Sequence, residues 1–171
     1  MNNIIGIFDF KGAASNNSKN IKRHMLYAKL IDDLSQSKYQ LRIFSTELGI
    51  RDLNSSFVYV GSKKNPVRYL IQIKKYLKEN SANLVLAIAG DPWETAWLTL
   101  IYRTLFQKKL RIQIQIHADV SCQKFKTLNF LNYLRSKTWY FASTKVESIR
   151  AVGRTQVVNI LKLHPDLYNK M

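Results

Sequence analysis

Cysteine is nearly absent from this sequence. Cys122 stands alone among 171 residues, so no internal disulfide can form, which fits a reducing compartment. Three prolines and six glycines exclude a linker-rich or fibrous chain. No apolar run approaches the ~20 residues of a membrane-spanning helix. The opening Ile4–Phe8 run is broken by Asp9 and Lys11, well short of the core of a secretory signal. The chain therefore reads as cytoplasmic. Zinc-ligand spacing, a G-x-S-x-G elbow and a nucleophilic Cys/His pairing are all missing, so neither metal nor cofactor is expected.

Acidic residues are also scarce: 11, against 27 lysines and arginines, for a formal net charge of +16. That excess implies an anionic partner, whether nucleic acid, a phosphorylated ligand or the acidic face of a membrane. Hydrophobic residues make up 46% and charged residues 22%, the balance of a globular protein, and the length suits one domain. Three Trp, nine Tyr and eight Phe would suit nucleic acid. They fall within or beside apolar runs, however, and no RNA- or DNA-binding signature accompanies them. Nucleic acid is disfavoured.

Short apolar runs alternate with segments of helical period, the pattern of an α/β domain with a mainly parallel sheet. Strands are expected at Ile4–Phe10, Tyr39–Ser45, Phe57–Val60, Leu84–Ala89, Arg111–Ile116, Trp139–Ala142 and Val157–Leu161. Helices are expected at about 20–34, from Pro66 to about Glu79, from Pro92 to about Gln107, near 128–134 and from Thr144 to Ala151. That makes about seven strands with intervening helices. Leu163–Tyr168 reads as a linker leaving the last strand.

Ligands in open α/β sheets bind outside the carboxyl ends of the strands. Three such ends are polar: the loop Lys11–Ser18, the turn Gly90-Asp91-Pro92-Trp93-Glu94, and His117-Ala118-Asp119. Each has a purely structural alternative. Asp91 can cap a helix that Pro92 opens, with Glu94 completing a capping box. His117 can bond a carbonyl at the strand end, Asp119 can cap, and Thr144 with Glu147 reads as another capping box. The loop at Gly12 has a single glycine, a weak phosphate cradle. Lys63, Lys64, Arg68, Lys74, Lys75 and Lys78 cluster at the helix opened by Pro66, whose apolar side is expected to be Val67, Leu70, Ile71 and Leu77. Such a basic amphipathic helix can lie on anionic lipid or simply pack on the sheet.

The segment from Gly90-Asp91-Pro92-Trp93-Glu94-Thr95 through a helix to Ile112-Gln113-Ile114-Gln115-Ile116-His117-Ala118-Asp119 resembles the middle of family-4, GT-B-type retaining glycosyltransferases. The Arg23-His24 pair, Phe141-Ala142-Ser143 and the closing Leu163-His164-Pro165-Asp166 fit the same frame. The resemblance implies a single Rossmann-like domain, residues 1–163, forming the amino-terminal half of the GT-B fold, with 164–171 beginning an interdomain linker. It implies that this half binds a glycan or lipid-linked acceptor. The nucleotide-sugar donor would be held mainly by a carboxyl-terminal domain absent from this chain, which a separate chain could supply. The resemblance makes His117 the catalytic residue, brings the Gly12 and Ala13 backbone N–H groups to the donor diphosphate, and places His24, Asp91, Glu94 and Asp119 on the acceptor side. It also suits an enzyme peripheral on the inner face of a membrane, and a chain inactive by itself.

Two alternatives compete. One is a stand-alone basic α/β module that binds nucleic acid or a phosphorylated ligand. The other is a flavodoxin-like or receiver-like protein, against which stands the absence of a paired acidic cluster after the first strand.

Overall fold

A computed structural model of the chain describes residues 2–10, 18–46, 57–60, 65–117, 120 and 122–171. The elements run β1 (Asn2–Asp9), α1 (Ser18–Ser35), β2 (Tyr39–Ser45), β3 (Phe57–Tyr59), α2 (Pro66–Glu79), β4 (Ala82–Ala89), α3 (Glu94–Phe106), β5 (Arg111–Ile116), α4 (Gln123–Thr127), α5 (Phe130–Thr144), β6 (Ser148–Ala151) and α6 (Arg154–Leu163), with a closing 3-10 turn at Pro165–Lys170. The protein is α/β, a parallel sheet flanked by helices. Among the described residues the sheet has six strands in the order β3-β2-β1-β4-β5-β6, every neighbouring pair parallel. The chain moves outward in one direction from β1 to β3, then returns beside β1 with β4, so the order reverses between β1 and β4.

Strand alternation divides β1 between two layers. Ile4 and Phe8 join the larger core, where Ile112, Ile114 and Ile116 of β5 meet Tyr69 and Ile73 of α2, Tyr102 of α3 and Trp139 of α5. Ile7 faces the other way, with Leu41 and Ile43 of β2, beneath Tyr27, Ala28 and Ile31 of α1. Helix α2 starts where the sequence places it: Asn65 Oδ1 accepts the Arg68 N–H at 2.9 Å and Pro66 occupies the first turn, where its missing N–H costs nothing. Its buried face is Tyr69, Leu70, Ile73 and Leu77, so Val67 and Ile71, expected inside, are 64% and 50% exposed. Among the described residues no helix is long and apolar enough to cross a membrane.

The last third of the chain departs from the sequence reading, and the seven expected strands become six. Trp139–Ala142 is not a strand but part of α5. Three adjacent aromatics favour a strand by propensity. Here Asn132, Trp139, Ala142 and Ser143 are buried at helical spacing, Phe141 is 60% exposed, and Asn129 Oδ1 caps the helix by accepting from Asn132 N. The expected helix at Thr144–Ala151 contains β6 instead. Thr144 and Glu147 form no capping box: Thr144 Oγ1 donates to the Phe141 carbonyl, while Glu147 accepts the Ile112 N–H at 2.7 Å and pairs with Arg103 at 3.0 Å. Val157–Leu161, expected as the last strand, lies in α6, with Ile160 as its buried contact.

The segment after α6 packs on the domain. Leu167 is fully buried, and the Tyr140 ring stacks on His164 at 4.2 Å while its hydroxyl donates to Asp166 at 2.8 Å. Lys170 Nζ donates to the Thr144 and Val146 carbonyls, both at 2.8 Å, closing the end of α5. Lys170→Met is therefore expected to lower stability by ~1–3 kcal/mol in urea denaturation, the range for charge-assisted bonds whose acceptors lose a partner. An unchanged midpoint would mean that the turn contributes nothing.

Candidate functional site

The reversal between β1 and β4 leaves a crevice at the carboxyl ends of the strands, because the connections from β1 and β4 depart in opposite directions. Register determines which residues rim it. Asp9 pairs with Ser45, Phe8 with Ala89, Ala89 with Ile114 and Gln115 with Arg150. Asp9, Gly90, Gln115 and Arg150 therefore follow one another across four strands. A Cβ at Gly90 would meet nothing nearer than the Phe8 carbonyl oxygen at 3.6 Å, so crowding does not demand glycine there. What the glycine does is keep the floor of the crevice low between Asp9 and Gln115.

Two adjoining lobes occupy the crevice, of about 380 and 400 Å³, sharing Ile7, Arg23, His24, Gln115 and His117. The first lobe adds Asp9, Asn20, Asp91, Trp93 and Thr95; the second adds Arg150 and an apolar wall that includes Tyr27, Ile31 and Ile88. Each volume suits a small ligand.

His24, 8% exposed, hangs from α1 with Nδ1 at 2.7 Å from the Asn20 carbonyl oxygen. A carbonyl only accepts, so Nδ1 carries the proton, and in the neutral ring Nε2 is the acceptor nitrogen. His117 is more exposed, at the tip of β5, and its Nε2 donates to Gln115 Oε1 at 3.2 Å. Burial is the main cause that lowers the His117 pKa; Arg23 and Arg150 push the same way and Asp91 opposes them. Burial also lowers that of His24, against the bond to Asn20, with Arg23 and His117 adding to the effect. Both rings are thus held neutral near pH 7, able to donate from one nitrogen and accept at the other.

Asp91 is held by its own turn. Its Oδ1 accepts the N–H groups of Trp93 at 2.8 Å and Thr95 at 3.3 Å, and Oδ2 accepts the Thr95 hydroxyl. Asp91 was expected as the N-cap of a helix opened by Pro92; α3 instead begins at Glu94 with Trp93 as its N-cap, and Asp91 braces that first turn from before it. This leaves the carboxylate fixed at the mouth of the first lobe.

Of the candidates read from the sequence, the structure brings His117, His24 and Asp91 together. Glu94 lines neither lobe. Its carboxylate accepts from Arg135 Nε at 3.2 Å and Nη2 at 2.5 Å, and that guanidinium lies over the Trp93 ring, 5.1 Å from its centroid. The ring stacks in turn on Phe125 at 5.3 Å, so Glu94 helps to hold one wall of the site. Gly12, Ala13 and Asp119 lie outside the described residues. Asp9, Arg23, Gln115 and Arg150 were not singled out as site residues by sequence. Asp9, buried and accepting from the Ser45 hydroxyl at 3.1 Å, had one available signal: a carboxylate ending an otherwise apolar strand. Among the described residues no group of three or more His, Cys, Asp or Glu side chains could hold a metal ion.

No family model matches the chain, and no curated protein matches it.

Lowered histidine pKa values tie stability to pH. Between the ordinary value, about 6.5, and the lowered one, the unfolded chain binds a proton that the folded chain does not. Stability is therefore full above that window and falls as pH drops through it. Replacing His24 by Gln should flatten the dependence of the urea midpoint between pH 7 and 5. An identical slope in the variant would show that His24 is not held neutral by the fold.

Proposed function

We propose that this chain is the Rossmann-like, acceptor-side half of a two-domain retaining glycosyltransferase of the GT-B type. The observation that carries the reading is the adjacency of the Gly90–Thr95 turn and His117 at neighbouring strand tips, beside the point where the strand order reverses. These are the segments whose sequence resembles the family.

In this reading a nucleotide sugar, presented by a second domain, enters against the first lobe. Its diphosphate leaves and positive charge builds at the anomeric carbon. An acceptor hydroxyl held by this domain then attacks from the same face. Little covalent chemistry falls to the protein, and catalysis rests on positioning and on charge stabilisation. His117, kept neutral, hydrogen-bonds the donor sugar or the reacting centre. Asp91 and His24 flank the acceptor, and the Gly12 and Ala13 N–H groups approach the diphosphate. Asp119 belongs with the acceptor side, while Glu94 acts through Arg135 and Trp93.

The outer face of α2 supports work at a membrane surface. Val67 and Ile71 are exposed apolar residues there, with Arg68, Lys74, Lys75 and Lys78 around them. The chain is expected to sediment with vesicles rich in anionic lipid at low salt and to be released at about 0.5 M salt, where screening is strong. Equal sedimentation with neutral vesicles would remove the electrostatic basis of this localisation.

The division of labour makes a direct prediction. In isothermal titration the chain alone should bind uridine- and guanosine-diphosphate sugars no more tightly than about the millimolar range, since contacts to base and ribose belong to the other domain. Micromolar affinity for either would contradict the acceptor-side assignment.

A further inference from the structure

The second lobe of the crevice has an electrostatic character that the transferase reading does not require. Arg23 comes from α1 and Arg150 from β6, and both line a lobe whose remaining polar lining, among the described residues, is His24, His117, Gln113 and Gln115. Gln113 and Gln115 can present amide donors, each ring gains a second donor once protonated, and none of these side chains carries negative charge. Among the described residues neither arginine is paired with a carboxylate. Among the described residues, the acidic side chains of the crevice, Asp9 and Asp91, line the other lobe. Asp9 accepts from Ser45, and Asp91 from Trp93 and Thr95. Two guanidinium groups facing one concavity repel each other and favour an anion between them, and their planar forks suit phosphate oxygens.

We propose that the second lobe binds a phosphate monoester, with the phosphate between Arg23 and Arg150 and the remainder of the ligand against Tyr27, Ile31 and Ile88. A monoester carries about −1.5 to −2 charge near neutral pH and three acceptor oxygens, which matches two arginines and the donors beside them better than a singly charged diester does. The inference rests on the acceptor-side reading for its role, since it makes the acceptor a phosphorylated compound whose phosphate is held away from the reacting hydroxyl. The binding site itself stands on the arginines and the cavity.

The groups facing the phosphate also set its pH response. Arg23, Arg150 and Tyr27 line the lobe, Asp91 and Asp9 line its neighbour, and the pKa values of His24 and His117 are lowered, chiefly by burial. A bound dianion favours the protonated rings, so binding should tighten on acidification. Sulfate, dianionic across this range, separates that effect from titration of the phosphate itself.

The test is isothermal titration of the chain with inorganic phosphate, glucose 6-phosphate and glucose, alongside sedimentation with vesicles containing phosphatidic acid or, at matched charge, phosphatidylserine. Glucose 6-phosphate should bind at least about tenfold more tightly than glucose, and Arg150→Gln and Arg23→Gln should each weaken it by about 10–100-fold, as expected for loss of a charge-assisted contact. Both arginines are exposed, and an unchanged melting temperature checks that the variants are folded. Preference for phosphatidic acid vesicles that Arg150→Gln abolishes assigns the monoester to a lipid headgroup; preference for glucose 6-phosphate assigns it to a soluble compound. Sulfate should bind more tightly at pH 5.5 than at pH 8, with a smaller difference in His117→Gln. No preference for either monoester, or binding indifferent to both arginines, overturns the proposal. Loss of anion binding with neutral-sugar binding retained leaves the acceptor-side reading standing, whereas micromolar binding of a nucleotide sugar removes that reading and leaves the anion site.

Discussion

The parallel pairing of β1 with β4 is the constraint on which the crevice depends. It places Phe8 opposite Ala89, so that the next residues, Asp9 and Gly90, come to the rim side by side. A slip of one residue would turn Asp9 into the core and lift Phe8 to the surface, because side chains alternate between faces. Phe8 resists the slip. It is fully buried, with edge-to-face contacts to Phe44, Tyr69 and Tyr102 at ring separations of 5.9, 6.1 and 5.5 Å. Each such pair contributes ~0.5–1.5 kcal/mol beyond area burial. Tyr69 adds a hydroxyl that donates to the Phe44 carbonyl at 2.8 Å and that burial keeps protonated. The hydrophobic layer beneath the site thus fixes the register of the polar rim above it.

Charge organises that rim into two halves. Asp91 and Asp9, held by hydroxyl and backbone donors, line the first lobe; Arg150 lines the second, and Arg23 lines both. The two histidines line both lobes, and His117 feels both charges: burial chiefly lowers its pKa, Arg23 and Arg150 add to that, and Asp91 opposes them. A ring poised between unlike neighbours can respond to whichever charge a ligand brings. The net charge of +16 concentrates anions near such a surface, but the local arrangement determines where they stop.

Most of the scaffold was legible because its signals are local. The runs at β2 and β5 and the proline-opened α2 carry their boundaries in the sequence, and Asp91 and His117 follow directly from lying just beyond apolar runs. The stretch from Phe130 to Leu163 was not legible. Trp139-Tyr140-Phe141 has strand propensity yet sits in a helix, with Trp139 buried, Tyr140 partly buried against the core and Phe141 exposed. Ser148–Ala151 is a four-residue strand, too short for alternation to declare itself, and among the described residues it pairs with β5 alone. That error hid Arg150: read as part of a helix, it had no reason to stand beside Gln115. Arg23 was visible only as the neighbour of His24. What makes it a site residue is the crossing of α1 over the sheet, which is a tertiary fact.

At the centre of this account, Arg150 on β6 shares one cavity with His117, just beyond the end of β5. Titration of the His117 C2 proton by NMR in the parent and in Arg150→Gln tests it most directly. The pKa of His117 should lie below its usual value in the parent and move upward once the neighbouring cation is removed. A His117 titration indifferent to that substitution would place Arg150 elsewhere and contradict the architecture of the site.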